Sequence, residues 1–303
     1  MEKRYYSANE FFKRKFGEKV YKLALAGGYT CPNRDGKAGF GGCVFCSGAG
    51  SGDFAENRAS GDFESQLRKA RARLKNKSTG DKFIAYFQSF TATYASADYV
   101  EKLIAPAIKS EAICSLSLAT RPDCLENDVL EILENAAKKK PLFIELGLQT
   151  SNETTAEKIN RCYKNAVYES AVKKLKKIGA NVITHLIIGL PNEAEKDMLD
   201  SVTYACGFTD GLKLQLLHVL KNTALEKSYL NKEFQTLTLE SYADILCKAI
   251  SIIPRDVVVH RITGDAPKKD LIAPLWSADK KRVLNYINGE LEKRDIFQGC
   301  ALT

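Results

Sequence analysis

The sequence predicts an α/β fold built on a parallel sheet, and three observations predict it. Short β-rich apolar runs alternate with longer amphipathic stretches. The alternation occurs six times at roughly thirty-residue spacing, the length of a β–α–β unit. Residues able to carry chemistry fall where the apolar runs end. Repeated units of this kind imply parallel strands joined by right-handed crossovers. Six of them fit either a doubly wound sheet or an open, partial barrel. In both, sites form at the C-terminal ends of the strands.

The six runs are YKLALAG (21–27), FIAYFQS (83–89), AICSLSLAT (112–120), LFIELGLQT (142–150), NVITHLIIGLP (181–191) and GLKLQLLHVL (211–220). The intervening segments have helical spacing. Tyr99, Leu103 and Ile104 share one face, as do Val129, Leu130, Ile132 and Leu133. Ala171, Leu175 and Ile178 mark a third buried side, and Gly179 stops that helix. Beyond about residue 222 come two helices (239–252 and 279–294) and a β-like DVVVHRITG (256–264).

A chain of 303 residues with 45% apolar content can bury a large core. The charged start MEKRYYSANEFFKRKFGEKVYK is not a secretory signal. No apolar run approaches the ~18 residues of a membrane span. A soluble, cytoplasmic protein is expected, with no membrane partner. Formal net charge is +8, and residues 1–22 carry seven basic and three acidic side chains. Such an excess suits an anionic partner, nucleic acid first, but it also suits lysine-rich solvated helix faces.

Nine cysteines without an export signal argue against a disulfide framework. Three of them cluster in TCPNRDGKAGFGGCVFC: Cys31, then eleven residues, then Cys43 and Cys46 with two between. A redox pair needs its first cysteine at a helix N-terminus. A structural zinc site needs a fourth ligand, and His185, His218 and His260 are all distant in sequence. An iron–sulfur cluster held by three thiolates leaves one iron open to another ligand. Glycines 36, 39, 41 and 42 let the loop wrap a bulky inorganic core, and Phe45 would cover it. The other six cysteines (Cys114, Cys124, Cys162, Cys206, Cys247, Cys300) are scattered and expected to be mostly buried.

With these motifs in order, the chain resembles the radical-SAM superfamily, specifically the short bacterial YhcC/YtqA-type family of its Elongator-like branch. ATRPDCL (119–125), IELGLQT (144–150) followed by Asn160-Arg161, and HLIIGLPNE (185–193) resemble that branch's strand-end motifs. HRITGDAP (260–267) and RDIFQG (294–299) resemble segments of the short family. The long first gap of the cysteine loop departs from the superfamily's usual spacing but is similar to the lengthened gap of the branch.

The resemblance implies a partial (β/α)6 TIM-type barrel over residues 21–222. A basic N-terminal extension (1–20) and a C-terminal helical/β extension (223–303) would flank it. It implies a [4Fe–4S] cluster on Cys31, Cys43 and Cys46, with S-adenosylmethionine (SAM) on the open iron. An external donor such as flavodoxin or ferredoxin would reduce the cluster, the SAM C5′–S bond would break, and the 5′-deoxyadenosyl radical would abstract a substrate hydrogen. Gln88, Ser89 and Thr91 would form the turn against the methionyl amine. Gln149 and Arg161 would reach the ribose and carboxylate, His185 stands where relatives carry an acidic ribose ligand, and Leu190 would lie under the adenine. Thr120, Arg121 and Asp123 form a further strand-end motif, which also reads as a turn and helix cap. Branch membership further implies tRNA as partner and chemistry on the C5 side chain of a wobble uridine. Removal of the carboxymethyl part of a carboxymethylaminomethyl group fits best. The basic N-terminal segment and tail would then clamp phosphates, with Arg121, Lys213 and Lys221 near strand ends meeting a negative substrate group. Two alternatives remain open at this level: a radical-SAM enzyme on a small-molecule or protein substrate, and a zinc-stabilised RNA-binding protein without catalysis.

Overall fold

A computed structural model describes residues 3–27, 30–50, 53, 55, 62–74 and 80–302. Met1 and Glu2 of the expected N-terminal extension, and Thr303 at the other end, lie outside the described residues. All six apolar runs are strands. The order is α1 (Ala8–Phe16), β1 (Tyr21–Leu25), α2 (Phe63–Ala72), β2 (Phe83–Phe87), α3 (Ala97–Lys109), β3 (Ile113–Thr120), α4 (Asn127–Ala137), β4 (Leu142–Gln149), α5 (Glu153–Lys158), α6 (Asn165–Lys177), β5 (Asn181–Ile188), α7 (Glu195–Cys206) and β6 (Gly211–Leu216). Then come β7 (Val219–Leu220), α8 (Ala224–Leu230), α9 (Leu239–Ile252), β8 (Val258–Arg261), β9 (Leu271–Ala273) and α10 (Lys280–Lys293).

The main sheet runs β1-β2-β3-β4-β5-β6-β8, and every pairing is parallel. The partial barrel therefore has a seventh strand, drawn from the stretch expected to lie in the C-terminal extension. Two helices and a small strand separate β8 from β6, so it falls outside the thirty-residue period. The sheet is curled. In a flat sheet β1 and β6 would lie about 24 Å apart, at ~4.8 Å per strand. Here Lys22 of β1 and Lys213 of β6 both reach the same carboxylate, that of Glu145 on β4.

Alternation along each strand divides the core. On β4, Leu142, Ile144, Leu146 and Leu148 face the surrounding helices in the main apolar cluster. Phe143, Glu145 and Gly147 face the lumen, the first in the lower apolar cluster and the other two on the cavity wall. On α6, Tyr168, Ala171, Val172 and Leu175 are buried at helical spacing, and Gly179, at φ +79°, follows the helix end. Lys173, Lys174, Lys176 and Lys177 stand exposed around Leu175, so this basic run is a solvated face.

The lower end of the lumen is sealed by α1. Ser7 caps the helix by accepting from the Glu10 amide. Phe12 is buried against Ile84, Phe143 and Ile183, which open strands β2, β4 and β5. Phe11 and Phe12 also meet His260 edge-on. The C-terminal tail packs beside them. Gln298 accepts from the Tyr6 amide at 2.8 Å and donates to the carbonyls of Pro254 and Val257, while Arg4 pairs with Asp295 at 2.6 Å. Both basic termini thus belong to the N-terminal ends of the strands, opposite the cysteine loop. The amphipathic pattern of α1 serves a plug.

Candidate active site

The upper half of the lumen opens into a cavity of about 470 Å³ at the C-terminal ends of the strands. Cys31, Cys43 and Cys46 line it, as do Phe45, Gln88, Thr91, Thr120, Arg121, Gln149, Arg161 and His185. Three of the expected residues do not. Ser89 is buried within its turn, Asp123 stands behind Arg121, and Leu190 packs with Ile159, Leu217 and Leu225 beside Phe45. Lys221 lies outside as well, donating to the Lys269 carbonyl on the rim.

The cysteine loop is held from several sides. The Gly42 amide donates to the Asn33 carbonyl at 2.7 Å. Asn33 is fully buried, donating to the Asn160 carbonyl and lying 3.6 Å from the Cys43 sulfur. Asn160, at φ +57°, donates back to the carbonyls of Phe40 and Gly42. The Val44 amide donates to Ile159, and the Val44 carbonyl accepts from Leu225, so α5 and α8 grip the C-x-x-C segment. The turn after β2 closes the loop: Phe90 donates to Gly50 and Thr91 to Thr30. A side chain at Gly39 would strike Asn33 at 2.3 Å and Cys162 at 2.8 Å, so it would displace the buried Asn33 amide.

These residues fit a cluster. All nine cysteines are free thiols. Cys43 and Cys46 lie within hydrogen-bond reach of each other, and that contact together with burial pushes the Cys43 thiol well up; bound iron would hold both as thiolates. Among the described residues no three donors converge on a single metal-ion position. A cubane does not ask for that, because each thiolate binds a different corner iron; a mononuclear zinc site would ask for it. Asn33 Oδ1, buried without a partner, marks polar capacity behind the loop.

Arg161 has a different task from the expected one. It is fully buried, and its guanidinium donates to the carbonyls of Leu148, Thr150 and Tyr163 and to Asn165 Oδ1. Those bonds tie the end of β4 to α6 and leave little for a ligand carboxylate. Gln149 sits at φ +64° on a bulge of β4, with its Oε1 3.1 Å from the Tyr163 hydroxyl. Tyr163 has Arg121 and Arg161 within 5 Å of its ring. Arg121 forks onto both oxygens of Asp123, at 2.9 and 2.7 Å. Burial works against its charge, yet Asp123 outweighs burial and the net shift is upward.

A charged layer beneath the cavity escapes the motif-based reading. The Glu145 side chain is completely buried and accepts from Tyr86 at 2.7 Å, Ser117 at 2.9 Å, His185 at 2.7 Å, and both Lys22 and Lys213. Burial alone would raise its carboxyl, but Lys213, Lys22 and His185 hold it well below the usual carboxylate range. Burial pushes Lys213 down to about 7 and His185 down to about 4. His185 is therefore a neutral imidazole, with Nε2 toward Glu145 and Nδ1 3.2 Å from the Gln215 amide. The signal was present in the sequence: one charged residue inside each of three apolar runs, at lumen-facing positions. The expected burial of the scattered cysteines holds for Cys124 and Cys247, whereas Cys162 and Cys300 are exposed.

Known proteins place this geometry. Residues 29–205 match the Radical SAM superfamily model, and residues 209–293 match the Radical_SAM C-terminal domain. The chain is 43% identical over 300 residues to "Uncharacterized protein YtqA" of Bacillus subtilis, covering 98% of this chain and 92% of that one. It is 29% identical over 158 residues to the "tRNA uridine(34) acetyltransferase" of Methanocaldococcus jannaschii, 50% of this chain and 28% of that one. Among solved structures, Elp3 of Methanocaldococcus infernus superposes with a TM-score of 0.69 at 18% identity, over 92% of this chain and 64% of that one.

Proposed function

The chain belongs to the radical SAM superfamily, and from that premise we propose that it modifies the C5 side chain of a tRNA wobble uridine. Its cofactors are a [4Fe–4S] cluster and SAM. When bound, they supply reductive C5′–S cleavage and, through it, hydrogen-atom abstraction. Cys31, Cys43 and Cys46 would hold the cluster, with Phe45 over it. Gln88, Thr91, Thr120, Arg121 and Gln149 line the wall on which SAM would lie.

The observation that carries the substrate reading is the alignment of half the chain with a protein named for uridine 34 of tRNA. The alignment covers 28% of that longer protein, so the reading is confined to a step the shared part can serve. That step is remodelling of carboxymethylaminomethyl to aminomethyl: with SAM as the two-electron oxidant, reduced to methionine and 5′-deoxyadenosine, the carboxymethyl C–N bond would become an imine, and water would hydrolyse it to release the amine and glyoxylate. Single-stranded anticodon bases can be splayed into a barrel mouth at low cost. An external donor such as flavodoxin or ferredoxin would deliver the electron. The test is nucleoside profiling of bulk tRNA from a deletion strain. The carboxymethylaminomethyl nucleoside should accumulate and its aminomethyl product vanish; an unchanged profile rejects tRNA in favour of a small-molecule or protein substrate.

A further inference from the structure

We propose that Lys213 and Arg261 together receive a single carboxylate of the substrate, in the lumen below the cysteine loop. This deepens the wobble-uridine reading and rests on it for the identity of the side chain.

Lys213 on β6 and Arg261 on β8 are register partners, and both line the cavity. Like charges set opposite each other on neighbouring strands repel. The protein does not supply enough counter-charge to quiet them. Glu145 is shared between Lys22 and Lys213. Asp265 lies 3.4 Å from Arg261 and is held more closely by the exposed Lys280, at 2.7 Å. Four cations, Lys22, Lys213, Arg261 and Lys280, thus face two carboxylates. The other titratable neighbours do not alter this. Burial keeps His185 and His260 neutral, Tyr86 stays protonated, and Arg121 is matched by Asp123.

Positive charge is left in excess in a site walled off from water below by Phe143 and Phe12. A carboxylate set between Lys213 and Arg261 offsets it. The lowered proton affinity of Lys213 fits the same picture, since an arriving carboxylate would hold that amine protonated.

The test is titration calorimetry on the reconstituted enzyme with two nucleosides, 5-carboxymethylaminomethyluridine and 5-aminomethyluridine, and inorganic phosphate as competitor. The first should bind about ten- to a hundredfold more tightly, the worth of a desolvated charge-assisted hydrogen bond. Lys213→Met and Arg261→Gln should each collapse that ratio, and Lys213→Arg should keep part of it. Equal affinity for the two nucleosides in the unmodified enzyme overturns the proposal. So does a preference that survives both substitutions, or phosphate competing as well as the carboxylate. Should Lys213→Met fail to fold, Arg261→Gln, at a partly exposed strand end, carries the test alone. The two readings separate cleanly. A selective carboxylate site with an unchanged tRNA profile sinks the tRNA reading alone. A changed profile without carboxylate selectivity sinks this one.

Discussion

The two ends of the lumen are built on opposite principles. The lower end is closed by aromatic packing of α1 against the first residues of β2, β4 and β5. The upper end is open, lined by thiols, guanidinium groups and amides. Between them lies one layer of charge centred on Glu145. The closed end is a small apolar cluster that requires no ligand. Chemistry is concentrated at the end where backbone is left in loops, as expected for strand C-termini in a barrel. Both termini pack at the closed end.

The largest expected effect breaks the open end. Cys43→Ser or Cys46→Ser should take reconstituted protein from about four irons per chain to less than one, because a cubane does not survive the loss of one of three anchors. Iron analysis after anaerobic reconstitution checks this. Apo-protein stability should barely change, since neither thiol belongs to an apolar cluster. Full iron occupancy in either variant would mean that these thiols are not the anchors.

Next comes the closed end. Phe12→Ala should lower unfolding free energy by about 3–5 kcal/mol, the usual loss for a buried aromatic truncated in a packed cluster. Denaturant titration measures it. The thiol loop lies at the other end, so iron content of the folded fraction should match the unmodified chain. A loss of iron in folded protein would show that the two ends are coupled.

The charged layer comes third, and its pH dependence has a definite sign. Glu145 has a lowered pKa, so its stabilisation is present above the ordinary carboxylate range and is lost as pH falls through the lowered value. His185 and His218 are both depressed to about 4, so unfolding takes up protons between about 6.5 and 4. All three effects weaken the fold as pH falls. Glu193, raised to about 7 by burial, works the other way over the same window, so the thermal midpoint of the apo-protein should drop by the excess of the histidine effects. Glu145→Gln should flatten the further drop below the ordinary carboxylate range and lower the neutral-pH midpoint, because it leaves one buried and one half-buried ammonium group without an anion. A midpoint insensitive to pH from 6.5 to 4 contradicts the assignment.

What was legible in the sequence follows the same divide. The six strands and the three-thiol loop were readable because each is local: alternation within a run, spacing within a loop. The seventh strand was readable as β-like, but its place in the barrel sheet was not, because α8 and α9 intervene. The fate of Arg161 was not, because its partners are main-chain carbonyls, which any sequence supplies. Glu145, Lys22 and Lys213 were each visible as a charge in an apolar run. Only the curl of the sheet shows that they share one layer.

The smallest effect sharpens the comparison most. If RNA docks at the open end, charge removed there should weaken binding, and charge removed at the closed end should not. Lys37 and Lys221 are exposed residues of the rim, one in the cysteine loop and one beside β7. Lys13, Arg14 and Lys15 sit on α1 at the far end. Removing a cation that neutralises one phosphate reduces the salt slope of binding by about one. The double substitution Lys37→Gln, Lys221→Gln should therefore lower the slope of log affinity against log salt by up to about two. The triple substitution on α1 should leave it where it was, although it removes more charge. Filter binding of bulk tRNA over a salt series distinguishes them. A larger loss of affinity from the α1 variant would put the nucleic acid at the closed end and would sever it from the thiol-lined cavity.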